Sequence, residues 1–266
     1  MNLGRVKTFL IVLFLGINIY LLVSHFTATR FSIDSKTCEK TLEIIQNYGI
    51  TVDKDIVPKY AVNLKSIDTN NIVYTKEFKK NNKNGAFKVT GDSFSCEVKE
   101  PRFSDSDNNI KIRVKAFLEK SGFPIKHMDF SQIQRKDNKT KSFKINCRVK
   151  NYSIFDSVIT VDITKDGCTI YGKWFEPMTD DVILTSRSRQ TVYITSILID
   201  LAQSDKAAKN TPFEITSIEH GYLSGSQYKG GGHISTTARA FYKLTDDRNN
   251  IYFYDAKEGT YFDAEE

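Results

Sequence analysis

Serine and lysine side chains near the C-terminus are the first candidates for chemistry in this sequence. Ser226 and Lys229 match a Ser-x-x-Lys pattern, in which a lysine amine can activate a serine hydroxyl for acyl transfer. Ser106-Asp107-Asn108 matches the Ser-Asp-Asn element that accompanies this pattern in serine enzymes. Here, however, that element precedes the serine, no Lys-Thr-Gly follows, and Ser226 falls in a glycine-rich loop rather than at a helix start. The order and context argue against serine catalysis, and we predict no catalytic residue.

Metal and phosphate sites are not indicated either. His220 and His233 flank the same loop, but no carboxylate or thiol at ligand spacing completes a site with them. The loop's three glycines, 230–232, lack the strand-glycine-helix context of a phosphate cradle. The sequence has no HExxH, Walker A or GxGxxG motif. We therefore predict no metal, no cofactor and no enzymatic activity, and we expect His220 and His233 to be structural or exposed. The four histidines are His25, His127, His220 and His233.

The strongest signal is an apolar segment at the N-terminus. Residues 6–26 supply about the 20 apolar residues that a bilayer-spanning helix requires, with no lysine, arginine or acid after Lys7. Phe26-Thr27-Ala28 is a poor match to the small-x-small cleavage site of a signal peptide, so a retained helix is favoured over a cleaved signal. Arg5 and Lys7 precede the segment, which places the N-terminus in the cytoplasm. We predict a cytoplasmic N-terminus (1–5), a transmembrane helix (6–26) and an extracytoplasmic domain in a single-pass cell-membrane protein.

One polar residue interrupts the apolar segment. Asn18 lies near its middle, where an amide without a hydrogen-bond partner raises the free energy. A second membrane helix can supply that partner, and Gly16 leaves room for close backbone approach. Phe14 lies four residues before Asn18 and shares its side of the helix, whereas Gly16 points elsewhere. We predict a membrane-helix contact through Phe14, Gly16 and Asn18, and the alternative is an asparagine that an anchor simply tolerates.

Helical patterns occur at three places beyond a spacer at 27–34. SKTCEKTLEIIQNYGI predicts an amphipathic helix with Ser35 as its N-cap and Gly49 as its left-handed stop. Ile110, Val114 and Leu118 predict the apolar face of a second helix that ends at Gly122. The longest soluble helix is predicted near 188–208.

Strand patterns fill most of the remaining sequence. FKVTGDSFSCEV predicts a hairpin around Gly91-Asp92, VPKYAVNLKSI and NIVYTKEF predict strands, and Asp68 to Asn71 predict a turn between them. Further strands are predicted in SFKINCRVKN, SVITVDITKDG, CTIYGKWFEP, FEITSIEHGYL, TARAFYKLTDD and NIYFYDAKEGTYF. Two similar helix-then-strand runs predict an α+β fold of two related units, in which antiparallel sheets pack with helices, at 35–104 and 105–266. Chance similarity of the two helix endings is the alternative to a true repeat.

Charge and cysteine content narrow the possible partners. The net charge of +6 fits an anionic membrane surface or wall polymer, and an ordinary solvated surface is the alternative. Clusters such as Lys79-Lys80 lack an ordered set of stacking aromatics, so we predict no nucleic-acid partner. The cysteines form no CxxC pair and are expected to be small buried side chains, and their spacing assigns no disulfide. They are Cys38, Cys96, Cys147 and Cys168.

The ordered motifs resemble the YycH/YycI family, and YycI-like members in particular. Lys7-Thr8 leads into an apolar helix that contains Ile17-Asn18-Ile19, as in that family. LEIIQNYGITVDKDIVP is similar to the first helix of the family's extracytoplasmic domain, and ITSIEHGYLSG with TTARAFYKLTDDRNNIYFYDAKEGTYF is similar to its final unit. The pair Glu219-His220 and the loop SGSQYKGGGH depart from the family pattern.

The resemblance implies a non-enzymatic regulator of a signalling protein. It implies a single-pass accessory protein whose helix contacts the transmembrane helices of a WalK-like sensor histidine kinase. That kinase belongs to the WalK–WalR two-component system, which controls cell-wall metabolism, and a YycH-like regulator is expected to act alongside. A different class stays open from the residues alone: a membrane-anchored extracytoplasmic binding module for a cell-wall polymer or peptide ligand.

Overall fold

The computed structural model of the chain describes residues 11–21, 31–61, 64–99, 101–180, 192–224 and 235–263. Over these residues the protein has an α+β fold built on one 14-stranded sheet, in which only β10–β13 and β13–β2 pair in parallel. A separate ribbon joins β1 and β3. The predicted α+β class, with helices against a mainly antiparallel sheet, is confirmed.

Six helices and sixteen strands lie in the described residues. The helices are α1 (11–21), α2 (Ser35–Asn47), α3 (Lys76–Asn81), α4 (Asp107–Lys120), α5 (Ile194–Gln203) and α6 (Asp205–Asn210). The strands are β1 (Phe31–Ser32), β2 (Ile50–Val52), β3 (Tyr60–Ala61), β4 (Ile67–Asn71), β5 (Lys88–Thr90), β6 (Ser93–Val98), β7 (Met128–Phe130), β8 (Gln134–Arg135), β9 (Lys141–Val149), β10 (Tyr152–Ile163), β11 (Cys168–Lys173), β12 (Phe175–Pro177), β13 (Phe213–Leu223), β14 (Ser235–Asp246), β15 (Ile251–Asp255) and β16 (Tyr261–Phe262).

Residues that end helices or form turns lie where the sequence predicted them in α2 and in the β5–β6 hairpin. α2 is followed by Gly49, whose φ of +80° is the left-handed conformation expected of a stop residue. Its N-cap is Asp34 rather than the predicted Ser35, and neither side chain caps the helix. The hairpin β5–β6 turns at Gly91-Asp92 as predicted, because Thr90 and Ser93 are directly paired.

The main path of the sheet runs β12-β4-β14-β13-β10-β11-β6-β5. β10 is its central strand, and the register of β10 against β9 shifts between Ile154 and Val158. Before the shift, Ile154 pairs with Tyr222 of β13; after it, Ile159 begins the pairing with β11. A bulge at residues 155–157 therefore lets one strand hold both halves of the sheet.

The three bulge residues contact three different strands. Phe155 packs on Phe253 of β15 with ring centroids 5.8 Å apart. Asp156 accepts hydrogen bonds from the amide and hydroxyl of Ser224, the residue after β13. Ser157 donates to the carbonyl of Phe175 at 3.3 Å and accepts from its amide at 2.8 Å, which fixes the start of β12. Every polar group of the bulge in these contacts has a hydrogen-bond partner, as burial requires.

Helices cover the sheet through one continuous hydrophobic core. α2 packs against α5 and β2 at the β13 side of the sheet, with Ile45 and Leu201 fully buried. At the other end five phenylalanines join α3, α4 and the β5–β6 hairpin, with neighbouring ring centroids 5.0 to 5.7 Å apart. They are Phe78, Phe87, Phe94, Phe117 and Phe123.

The segment between 68 and 81 differs from the prediction. The residues expected to form a turn lie in strand β4, where Thr69 bonds to Thr236 and the Asn71 amide donates to Asp92 at 2.9 Å. The strand predicted in NIVYTKEF is instead a 3-10 turn (Ile72–Tyr74) followed by helix α3. Side-chain capping by Asn71 and Thr75 outweighs the β-propensity of Ile72, Val73 and Tyr74.

The long helix predicted near 188–208 is shorter and divided. Residues 188–191 lie outside the described part of the chain, and α5 begins at Ile194. Ser204 separates α5 from α6, because its hydroxyl donates to the Leu201 carbonyl and accepts from the Ala207 amide. The apolar face of α5 continues the predicted pattern, but the serine restarts the helix after it.

Strand pairing crosses the sequence boundary placed between residues 104 and 105. β2 pairs with β13, and β6 pairs with β11. The strands that precede residue 105 therefore pair on both sides of the central strand β10.

Gly221 of β13 gives the first testable prediction, because it allows β10 to approach β13. A Cβ at this position would lie 2.4 Å from the Ser153 carbonyl oxygen and 2.7 Å from the Phe155 ring. Gly221→Ala is expected to lower the free energy of unfolding by about 3 kcal/mol through overpacking. Urea unfolding, followed by the fluorescence of Trp174, the chain's one tryptophan, measures this change.

Gly85→Ala is the matched control for this substitution. Nothing lies within 4 Å of a Cβ at Gly85, so only its φ of +66° opposes the change, at about 1 kcal/mol. A smaller loss of stability at Gly221 than at Gly85 would contradict the steric account of the junction.

Candidate functional site

Helix α1 contains the three residues predicted to contact another membrane helix. Phe14 and Asn18 lie one helical turn apart and share a side, and Gly16 lies on the opposite side, as predicted from spacing. All residues of this helix are exposed, and nothing lies within 4 Å of a Cβ built on Gly16. The geometry leaves the side around Gly16 open to another backbone.

The predicted transmembrane helix extends beyond α1 in both directions. Residues 6–10 and 22–26 lie outside the described residues. Within the part of the chain that the structure describes, no helix has both the length and the apolarity to cross a bilayer. The transmembrane assignment stays a prediction.

Only one of the two serine motifs lies in the described structure. Ser106 is the N-cap of α4, and its hydroxyl accepts from the Asn109 amide at 3.4 Å. Ser226, Lys229 and the glycine-rich loop lie outside the described residues. His220 stacks on Tyr242 of the paired strand with ring centroids 4.5 Å apart, and burial lowers the pKa of its imidazole to about 4.

The cysteines are buried, as expected, and no disulfide joins any of the four. Burial raises the pKa of the Cys168 thiol to about 12 and raises that of Cys147 well above its usual value. Thiols that stay protonated are poor nucleophiles, so these side chains act as small apolar residues.

Three titratable side chains meet beside the bulge of β10, although sequence spacing did not indicate them as a group. The Nε2 atom of His127 lies 3.2 Å from a carboxylate oxygen of Asp180 and 3.7 Å from one of Glu176. His127 precedes β7, Glu176 lies in β12, and Asp180 follows β12 and pairs with Lys126. We call His127, Glu176 and Asp180 the acid–imidazole cluster.

The hydrogen bonds of His127 determine where protons lie in this cluster. Its Nδ1 atom is 2.9 Å from the carbonyl oxygen of Arg148, which can only accept, so Nδ1 carries a hydrogen. In a neutral imidazole Nε2 would then present a lone pair to two carboxyl groups. A proton on one of the carboxyl groups removes that repulsion.

Glu176 is the carboxyl group in this cluster whose affinity for a proton is most increased. Burial raises its pKa to about 7, with a smaller contribution from the neighbouring charge of Asp180. The indole of Trp174 donates to its other oxygen at 2.8 Å and opposes the shift. Asp180 behaves oppositely, because its bond to Lys126 lowers its pKa.

The three side chains of the acid–imidazole cluster interact through hydrogen bonding and charge. In the described ranges no group of three or more His, Cys, Asp or Glu side chains could hold a metal ion. No sequence motif indicates a role for His127, which is 9% exposed and lies 3.2 Å from Asp180 and 3.7 Å from Glu176. The sequence held one weak signal, the pair Trp174 and Glu176 two residues apart, but the partner His127 comes from a distant segment.

Comparisons with known proteins give a structural likeness to a solved bacterial domain. No protein-family model matches the sequence, and no curated protein matches it. The solved C-terminal domain of YpeB from Bacillus megaterium has a TM-score of 0.33 and 9% identity to the chain, over 88% of this chain and 97% of that one. The resemblance to the YycH/YycI family therefore rests on the sequence motifs and stays a prediction.

The acid–imidazole cluster predicts a titration that Trp174 reports. The indole bond to Glu176 should make tryptophan fluorescence change with a midpoint near pH 7 in the native protein. Glu176→Gln should abolish that transition, and Asp180→Asn should move it to lower pH because a neighbouring negative charge is removed. Glu219→Gln, in an acid on the distant strand β13, is the control and should leave the midpoint unchanged.

The same group predicts how stability depends on pH. The folded-state pKa of Glu176 lies above its usual value of 4.5, so the folded state holds the proton more tightly than the unfolded state. Its contribution is full below pH 4.5 and is lost, by up to about 3 kcal/mol, as pH rises to 7. The free energy of unfolding of Glu176→Gln, measured with urea, should therefore rise relative to that of the parent protein between pH 5 and pH 8. A difference that stays constant with pH would contradict this assignment.

Proposed function

We propose that this protein is a single-pass accessory regulator of a WalK-like sensor histidine kinase. In this proposal residues 6–26 anchor the chain, with the N-terminus in the cytoplasm. Residues 35–266 form an extracytoplasmic domain of two related α+β units. The protein acts by contact with the kinase's transmembrane helices, together with a YycH-like partner regulator, and the signalling system governs cell-wall metabolism.

The exposed apolar surface of α1 is the observation that carries the proposal. Nine large hydrophobic residues in its eleven positions are exposed, from 45% for Ile17 to 72% for Tyr20. They surround the helix on all sides, whereas a helix that packs on a soluble domain has one apolar stripe. Such a surface is stable in lipid or against other apolar helices, since exposing it to water costs about 25 cal/mol per Å². This pattern and the apolar sequence on either side of α1 support the proposed anchor.

Asn18 supports a contact with another helix rather than an anchor alone. Within lipid its amide gains about 1 kcal/mol from a hydrogen bond to a neighbouring helix. Phe14 on the same side adds apolar contact area next to that bond. Gly16 faces the opposite side, so one helix can meet the kinase through Phe14 and Asn18 and a second regulator through Gly16. The two contacts are compatible because they use different sides.

The extracytoplasmic domain lies close to the membrane in this arrangement. Only residues 22–30 separate α1 from β1, and a nine-residue segment spans at most about 30 Å when extended. The first strand is tied back at once by its pairing with β3. A domain held so near can bias the kinase by preferring one of its signalling states, and the size of the bias equals the difference in binding free energy between those states.

The asparagine provides the test of the proposal. Full-length protein with Asn18→Leu should recover about fivefold less sensor kinase from mildly solubilised membranes than the parent, because one interhelical hydrogen bond of about 1 kcal/mol is lost. Asn18→Gln should retain recovery, since it keeps the amide. Bound proteins are quantified by mass spectrometry at equal bait levels.

Ile19→Leu is the matched control, because it keeps the apolarity of the helix and leaves the asparagine in place. Recovery of no membrane kinase by the parent protein, with the chain found only after cleavage near Ala28, would contradict the proposal. That result would favour a released or wall-binding module.

A further inference from the structure

The positive charge of the chain is concentrated in one surface segment. Between residues 76 and 88 there are five lysines and one glutamate, so this segment carries +4 of the net +6. All five lysines are exposed. We call them the lysine patch: Lys76, Lys79, Lys80, Lys83 and Lys88.

The lysine patch is not neutralised by neighbouring acids. Some lysines elsewhere pair with carboxylates, as Lys141 does with Asp107 at 3.1 Å and Lys243 with Glu219 at 3.2 Å. Among the residues that the structure describes, none of the five patch lysines makes an ion pair. Lys79 lies 5.7 Å from the centre of the Tyr74 ring, a contact that keeps its charge. The patch therefore presents a positive field to ligands outside the protein.

The lysines are held on a well-packed support. Thr75 caps α3, and Phe78 fixes the helix in the five-phenylalanine cluster with 1% of its surface exposed. The loop after α3 is closed by Asn82, whose side chain donates to the Phe87 carbonyl at 3.0 Å and accepts from the Phe87 amide at 2.8 Å. Lys88 follows directly in β5. Preorganised charges lose less entropy when a ligand binds.

We propose that the lysine patch binds a linear phosphodiester polyanion that carries no bases. The charges are spread over a helix, a loop and a strand instead of converging on one pocket, which suits an extended chain of regularly spaced phosphates. Lysine acts on phosphate as a point charge and tolerates variable geometry. Single-stranded nucleic acid is normally held by exposed aromatics that stack on bases, whereas Phe78 and Phe87 point into the core.

The position of the patch favours a soluble polymer over the membrane surface. β5 is the end strand of the main sheet path, four strand spacings or roughly 19 Å from β13. The chain enters the domain through β1 and α2, and α2 packs at the β13 side. The patch thus lies away from the proposed anchor and open to polymers outside the membrane. This placement rests on the proposed function, but the charge argument does not require a kinase.

The test is binding of fluorescently labelled poly(glycerol phosphate) to the full chain in phosphatidylcholine nanodiscs. The parent protein should bind, with affinity that falls as NaCl rises. The triple variant Lys79→Gln, Lys80→Gln, Lys83→Gln should bind at least about tenfold more weakly and reduce the slope of log affinity against log salt by about 2, since each phosphate contact contributes about 0.7 on a single strand. The control triple Lys36→Gln, Lys40→Gln, Lys59→Gln removes equal charge from exposed sites near α2 and should change affinity less than about twofold.

Three results would overturn the inference. The first is an equal loss of polymer affinity in the two triple variants, which would show that binding depends on net charge alone. The second is tighter binding of an oligothymidylate than of the glycerol-phosphate polymer. The third is patch-dependent binding to phosphatidylglycerol nanodiscs with none to the polymer, which would assign the patch to the membrane. Trp174 fluorescence checks that each variant is folded, and no kinase is present, so failure here is distinct from failure of the kinase proposal.

Discussion

The fold depends on the bulge of β10, where three consecutive residues hold three other strands. Phe155 packs on β15, Asp156 receives two hydrogen bonds from Ser224, and Ser157 bonds both backbone groups of Phe175. β10 can thereby pair with β13 before the bulge and with β11 after it. The close approach tolerates only glycine at 221. Most strands of one continuous sheet are connected to each other through this junction, so its polar contacts must all be satisfied.

The junction also determines the electrostatics of the interior. By fixing the start of β12 it places Glu176 against His127 and Trp174 in a poorly solvated position. Burial there favours the protonated carboxyl group. A group that titrates near neutral pH therefore lies next to the strand that connects both halves of the sheet. The lysine patch lies at the far end of the same sheet, and the apolar helix α1 lies before the domain. Three features of different chemistry are therefore displayed at separate places: an apolar helix, an internal proton site and a basic surface.

Local sequence signals predicted much of this structure, and long-range contacts produced the exceptions. The α+β class, α2, α4 and the Gly91-Asp92 hairpin follow from periodicity and left-handed glycines. The strand predicted in NIVYTKEF was wrong because hydrogen bonds from backbone amides to the side chains of Asn71 and Thr75 favour helical turns over a strand. The bulge is visible in the burial of β10, where Ile154 is buried before it and Ile159 after it, but the residue types around it did not reveal it. The acid–imidazole cluster left almost no signal in the sequence, because only the tertiary fold brings His127 to Glu176.

The central functional claim is that one side of the N-terminal helix recognises a kinase helix in the membrane. The most direct test places a photo-reactive side chain at each of residues 11–21 in turn, in the full-length chain in its native membrane. The account predicts kinase cross-links with helical periodicity, strongest at 14 and 18 and weakest at 12, 16 and 20. Cross-links of equal yield around the helix, or no kinase adduct at any position, would contradict it.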